Sequence, residues 1–421
     1  MTEQLLQFIW QFRYFNLQQL ATTQNELLQI IHSGNHNTNQ GPDFLNAKIK
    51  VGNTLLAGSI ELHLKATDWI NHKHSTDKNY NNVILHVVWQ NDKNIGLPFP
   101  VLELQNRVSV LLLKKYAGIM DTKSFIPCEK HIGALPALTI SSWKDRAAAE
   151  RMQQKAAYIQ SLLQQNNNHW EETFWWLLAR NFGLPQNADA FEAVAKSLPI
   201  TILAKHKNQL IQTEALLLGQ AGLLNEDFAE HYPKMLKKEY LFLQKKYQLH
   251  ATHILVNFLR MRPANFPTVR LAQLAALIHS SVHLFSKIKE TTSLKEIIKL
   301  LQCTANDYWN YHYRFEKETT VKPKSPGKQM TGILLLNTVI PVLYTYGLLN
   351  KKEEYKTRAI LFAESIAPEK NSITANFGHL GITCLNAYDS QALIYWKKNY
   401  CTEKRCLQCS IGNKILKPEK G

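Results

Sequence analysis

The chain has 421 residues, 45% of them hydrophobic and 10% aromatic, with 17 Gly and 15 Pro, which excludes collagen-like, low-complexity and wholly disordered chains. Its 49 Lys and Arg against 33 Asp and Glu leave a formal charge of +16, which draws in polyanions and makes nucleic acid the expected partner, with a merely solvated basic surface as the alternative. That length exceeds one ordinary core, so two domains are expected.

At the N-terminus, MTEQLLQFIWQFRYF carries Glu3 where a secretory signal needs basic residues, and Gln7, Gln11 and Arg13 interrupt its apolar positions. A helix over residues 5–15 is expected to pack on one face of the sheet that follows. Between residues 27 and 104, LLQII, AKIKV, TLLAGSIELHLKA, NVILHVVW and VLEL alternate as strands between Gly and Asn turns and predict a mixed sheet. Val51-Gly52-Asn53-Thr54 reads as a β-hairpin turn, since Gly and Asn tolerate positive φ. Beyond a proline-marked connector the period becomes helical. Helices are expected from a capping box at Ser142-Trp143-Lys144-Asp145 through residue 165, and over 170–182, 214–224, 232–248, 250–261, 269–288, 293–301, 332–349, 353–364 and 390–400. The uncharged stretch 330–350 is broken by Asn337, Thr338, Pro341 and Thr345, so it is expected to be buried in the protein and not in a membrane.

The fold class expected is therefore α+β: an N-terminal mixed-sheet domain over residues 1–110, a connector over 111–140 and an all-α domain over 141–421. Residues 1–120 carry a net +2, which leaves +14 for the helical remainder. A nearly neutral region rich in acids and histidines beside a basic body is the charge layout of a metal site next to a polyanion-binding surface.

Strand alternation in SIELHLK sets Ile60, Leu62 and Leu64 on one face and Glu61, His63 and Lys65 on the other. The hairpin brings Asp43, in Gly41-Pro42-Asp43-Phe44, toward Glu61, and two carboxylates so placed suit Mg²⁺ or Mn²⁺. The alternative is that Glu61, His63 and Lys65 form the wet face of an amphipathic strand. His72, His74 and Asp77, with His86 inside an apolar strand, form a second candidate metal cluster, against surface loop histidines and a hydrogen-bonded core histidine.

Pro-Asp, 17 residues, then an acid on a hairpin strand with a nearby lysine resembles the PD-(D/E)XK nuclease superfamily. The resemblance covers residues 1–105 at most and implies Asp43 and Glu61 as metal ligands with Lys65 positioning water, although His63 stands where the family has its lysine. GPDF at 41–44, GSIELHLKATDW at 58–69, NVILHVV at 82–88, RPANFPTVRLAQLA at 262–275 and YCTEKRCLQCSIGNKIL at 400–416 resemble the bacterial domain-of-unknown-function 2851 family, which implies no activity.

In the helical body, Arg260, Arg262 and Arg270 flank Pro263-Ala264-Asn265-Phe266-Pro267 and are candidates to clamp phosphates or to satisfy helix ends. Cys401, Cys406 and Cys409 have the look of a metal knuckle rather than a ferredoxin run, with Cys384 or His379 completing a structural Zn²⁺ site, against thiols packed beside a helix. Six uneven cysteines make no disulfide framework, and a reducing, cytoplasmic setting is expected. The function these features imply is a divalent-metal-dependent nuclease on DNA or RNA with a basic helical binding domain. Its competitors are a non-catalytic nucleic-acid-binding or scaffold protein and another metal-dependent hydrolase built on the histidines.

Overall fold

The computed structural model describes residues 1–281 and 283–418. It divides the chain into two compact units: Met1–Lys144 with Ala375–Thr383 and Leu393–Gly421, and Asp145–Thr374 with Cys384–Ala392. The architecture is α+β, a mixed sheet in the first unit and a helical second unit. Against the expected 1–110, 111–140 and 141–421 division, the connector and most of the cysteine tail join the sheet unit. The reason is aromatic burial: Trp143 meets Tyr400 edge-on at 4.9 Å, Trp396 stacks on Phe377 at 5.1 Å, and Phe377 meets Phe125 edge-on at 5.1 Å. The Tyr14 hydroxyl donates to Asn413 Oδ1 at 2.6 Å, which ties the tail back to the first residues.

In the first unit, α1 (Glu3–Phe12) is capped by the Thr2 hydroxyl and ended by Arg13 in the left-handed region at φ 54°. The strands β1 (Leu28–His32), β2 (Asn35–His36), β3 (Phe44–Val51), β4 (Thr54–Lys65), β5 (Val83–Gln90) and β6 (Val101–Glu103) form one sheet in the order β1-β3-β4-β5-β6, with β2 also on β3. Pairing is antiparallel on the β1 and β3 side and parallel for β4 with β5 and β5 with β6. The hairpin turn falls at Gly52, φ 52°, as the sequence predicts. Two bulges bend β4 and its neighbours: β3 gains a residue against β4 between Phe44 and Ala47, with Asn46 at φ 58°, and the β4 and β5 register shifts between Ser59 and Ile60. At Gly58 a Cβ would lie 2.5 Å from the Asn82 carbonyl, so this close approach requires glycine.

Three helical expectations are corrected. Residues 251–260 form no helix: the Asn187 side chain accepts from Asn257 N–H at 2.6 Å and donates to its carbonyl at 2.9 Å, taking the backbone groups a helix would need. The helix expected from Ser142 is Ala137–Gln165, so the capping-box residues lie inside it. The helix expected over 269–288 is two, Pro267–Ser280 and Leu284–Glu290, with Val282 outside the described residues. Leu184–Ser197 and Ile200–His206 are additional helices.

The helix Lys328–Leu349 is long and apolar enough to cross a membrane, yet 61% of its most apolar window is buried within the protein. Its π-turn at Leu335–Val339 precedes Pro341, which has no N–H to offer the Asn337 carbonyl. Asn181 Nδ2 donates to that carbonyl at 3.2 Å and to the Thr338 hydroxyl at 2.9 Å.

Also in this unit, Glu214 is wholly buried and accepts from Trp309 Nε1 at 2.5 Å. Burial pushes its carboxyl from 4.5 up to about 7, with the Trp309 hydrogen bond opposing. A carboxyl raised in the native state contributes stability that is present below its unfolded pKa and lost as pH rises through the folded one. Urea unfolding of wild type and Glu214→Gln between about pH 4 and pH 8 is expected to show wild type losing roughly 3 kcal/mol more than the variant over that range.

Candidate metal centre

The centre of the sheet unit is β4, which is buried on both faces from Gly58 to His63. Ile60 and Leu62 fill the apolar side as expected, but Glu61 (6% exposed) and His63 (1%) are buried too, which corrects the expectation of a wet face. Lys65 alone is exposed. Its N–H donates to Asp68 Oδ2 and its ammonium acts on Asp92, so it does not join Glu61.

The register Phe44 to Ile60 sets Asp43 against Glu61. Each side chain is fixed by its neighbour's backbone: Asp43 N–H donates to Glu61 Oε2 at 3.0 Å, and Leu62 N–H donates to Asp43 Oδ2 at 3.1 Å. Gln7 Nε2, from α1, donates to Asp43 Oδ1 at 2.8 Å, and Glu3, one helical turn earlier, adds its charge to both acids. Glu3 and Gln7 escape the sequence reading; their only signal is the four-residue spacing on an otherwise apolar helix. Burial raises both carboxyls, and their mutual repulsion raises Glu61 further.

The two clusters that the sequence suggests separately are one. His63 Nε2 lies 3.4 Å from Glu61 Oε1 and 3.1 Å from His72 Nδ1, and its Nδ1 lies 2.8 Å from His86 Nε2. His74 Nε2 also lies 3.4 Å from Glu61 Oε1. The imidazole nitrogens of His63, His72 and His74 fall within 4.8 Å of one another. The loop that carries His72 and His74 is held by Trp69, 3% exposed, whose Nε1 donates to the Ser75 hydroxyl, and by Tyr80, stacked 3.8 Å from His74. Asp77 does not join the centre: its Oδ1 accepts from Asn79 N and Nδ2 at 2.9 Å each, and only its charge reaches His74.

Burial lowers His63 to about 2 and His86 to about 4, with neighbouring imidazoles adding to the effect, and it lowers His74 as well. Protein charge therefore does not neutralise this centre: burial pushes its carboxyls toward the protonated form and its imidazoles toward the neutral one. His74 Nε2 and His86 Nδ1 are buried without a hydrogen-bond partner. A carboxylate oxygen, three converging imidazole nitrogens and orphaned buried nitrogens fit a divalent cation, and the imidazole share favours Mn²⁺ or Zn²⁺ over Mg²⁺. His86, behind His63, fixes the ring tautomer as an outer partner.

The arginines separate. Arg260 and Arg262 are exposed, whereas Arg270 is 7% exposed and donates to Gln273 Oε1 at 2.8 Å and Asn265 Oδ1 at 2.6 Å, with its Nε unpartnered. Arg262 and Arg270 line a cavity of about 530 Å³ in the helical unit together with Lys322, Lys324 and Tyr313, and no acidic side chain lines it. Cys401, Cys406 and Cys409 are buried in the sheet unit beside Cys128, whereas Cys384 belongs to the helical unit.

A mixed sheet carrying a buried carboxylate and imidazole centre, joined to a helical unit, is the class of protein this fold and site define. The family model described as a protein of unknown function (DUF2851) matches residues 3–372, and the chain belongs to that family. No curated protein and no solved structure matches it.

Because burial and the Asp43 charge push the Glu61 carboxyl toward its protonated form, Mn²⁺ binding is expected to release protons and to tighten as pH rises. Calorimetry in buffers of different ionisation enthalpy checks this. His86→Phe is expected to weaken binding about 10- to 100-fold, the scale of losing an outer partner of a ligating histidine.

Proposed function

We propose that this chain is a divalent-metal-dependent phosphodiesterase acting on nucleic acid. The observation that carries the reading is Glu61 Oε1, buried 3.4 Å from Nε2 of both His63 and His74, on a strand locked to Asp43. Together with the turn from Asp43 into an antiparallel hairpin, this supports the nuclease resemblance, with His63 at the lysine position and Lys65 taking no part.

Glu61, His63, His72 and His74 would hold Mn²⁺ or Mg²⁺, and Asp43 would orient Glu61 through its N–H. When bound, the cation supplies Lewis acidity toward a phosphoryl oxygen and lowers the pKa of water. The rings of His72, His63 and His86 run in hydrogen-bond distance from the exposed His72 to the fully buried His86 and keep His63 oriented. The histidine-based hydrolase and the carboxylate-based nuclease thus reduce to one centre. A scaffold reading leaves the two buried acids without a role. Phosphates of the substrate would be met by the basic cavity lined by Arg262, Arg270, Lys322 and Lys324. Thiols and a thiophilic imidazole centre suit a reducing cytoplasm, where we place the protein.

Labelled single- and double-stranded DNA and RNA, incubated with Mn²⁺ or Mg²⁺, are expected to be cleaved, with at least about 100-fold loss in Glu61→Gln, the scale of removing one preorganised electrostatic group. Cleavage unchanged in Glu61→Gln would remove this reading. Arg262→Ala is expected to weaken nucleic-acid binding and to reduce the slope of log affinity against log salt by up to about one, leaving Mn²⁺ affinity unchanged, as filter binding across a salt series would show.

A further inference from the structure

In the sheet unit, well away in sequence from the carboxylates, four cysteines meet. Cys128 precedes the short helix Glu129–Ile132; Cys401 ends the π-turn Lys397–Cys401; Cys406 opens the 3₁₀ turn Cys406–Gln408, and Cys409 follows it. All four are between 6% and 7% exposed, and all line one small cavity with Pro127, Trp396, Tyr400 and Gly412. Gly412 is required there: a Cβ would fall 2.1 Å from the Cys406 carbonyl, so the helix Ser410–Leu416 closes directly over the turn. Burial raises the thiols of Cys128, Cys401 and Cys406, with neighbouring sulfurs adding to it, which marks them as mutually close. Lys397 and Lys404 act on Cys401 and Cys406 with the opposite sign, and Arg405 lies over the Tyr400 ring at 5.0 Å. Four thiols converging on one pocket with cations at its rim is a ligand set, not a packing motif.

Spacing decides what it holds. A single tetrahedral Zn²⁺ with Zn–S bonds of about 2.3 Å puts sulfurs about 3.8 Å apart. That ion and an iron–sulfur cluster both accept four thiolates, and the spacing along the chain separates the two. Four residues separate Cys401 from Cys406 and two separate Cys406 from Cys409, with Cys128 remote; three clustered cysteines at these intervals plus one distant cysteine is an iron–sulfur ligand pattern. Among the described residues Cys128 lines the cavity with Cys401, Cys406 and Cys409, whereas Cys384 and His379 do not, so Cys128 stands as the fourth ligand.

We infer that Cys128, Cys401, Cys406 and Cys409 bind an iron–sulfur cluster that fastens the C-terminal segment to the sheet unit. The four thiols give up their protons to solvent on binding, and each thiolate then ligates iron, with inorganic sulfide bridging the irons. The inference is independent of the carboxylate centre.

The test is the full chain purified anaerobically and reconstituted with a mixture of ferric and ferrous iron and sulfide, with iron, zinc and acid-labile sulfide counted and the spectrum recorded before and after reduction. Wild type is expected to carry iron and sulfide in equal amounts, about two or more of each per chain, with visible absorption that bleaches on reduction. Cys128→Ser is expected to lose both, while Cys384→Ser retains them; circular dichroism checks that each variant is folded. If Cys128→Ser does not fold, the wild-type counts decide alone. One zinc per chain without labile sulfide, neither metal after reconstitution, or a cluster kept by Cys128→Ser and lost by Cys384→Ser would overturn the inference.

Discussion

Two neighbouring carboxylates, each held by a backbone N–H from across the hairpin, organise the sheet unit. Asp43 N–H on Glu61 and Leu62 N–H on Asp43 lock the hairpin end, and the bulge at Asn46 sets the angle at which the acids meet. Glu61 is buried and Asp43 half-buried, and among the described residues no lysine or arginine is ion-paired with either. An uncompensated buried charge is costly, so such a pair persists only with protons or with a cation. Everything around the pair follows from that constraint: imidazoles that stay neutral, a tryptophan wall, and a helix that offers an amide from Gln7.

Stability and function pull in opposite directions at this point. An apolar pair at positions 43 and 61 would give an easier core, whereas acids and four clustered histidines cost desolvation that only a bound cation offsets. The same logic recurs at the four cysteines, where burial raises the thiols and a thiophilic centre removes the need for their protons. The helical unit has its own version: Glu214 is buried under Trp309, with no ligand to gather there, and it is tolerated in the protonated form.

Much of this layout could be read from the chain. The hairpin, the strand order of chemistry along SIELHLK and the pairing of Asp43 with Glu61 follow from alternation and a Gly-Asn turn, which are local signals. The burial of both faces of β4 does not, because it depends on α1 and on the loop carrying His72 and His74 folding over one side. His63 as the shared member of two clusters was hidden for the same reason. Cys128 was out of reach because a pairing across most of the chain has no periodicity. Residues 251–260 read as helix from their apolar spacing and are irregular because one side-chain amide, Asn187, captures their backbone. Arg270 reads equally as a phosphate clamp or as a group that satisfies helix ends, and its seat on Gln273 and Asn265 depends on folding that its sequence neighbours do not show.

The most direct measurement is anomalous diffraction at the manganese edge from crystals of the full chain grown with Mn²⁺. The account predicts a peak bounded by Glu61 Oε1 and the nitrogens of His63, His72 and His74, absent in crystals of Glu61→Gln. No peak there, or a peak only at surface acids, would contradict it and return the buried carboxylates to a protonated structural pair.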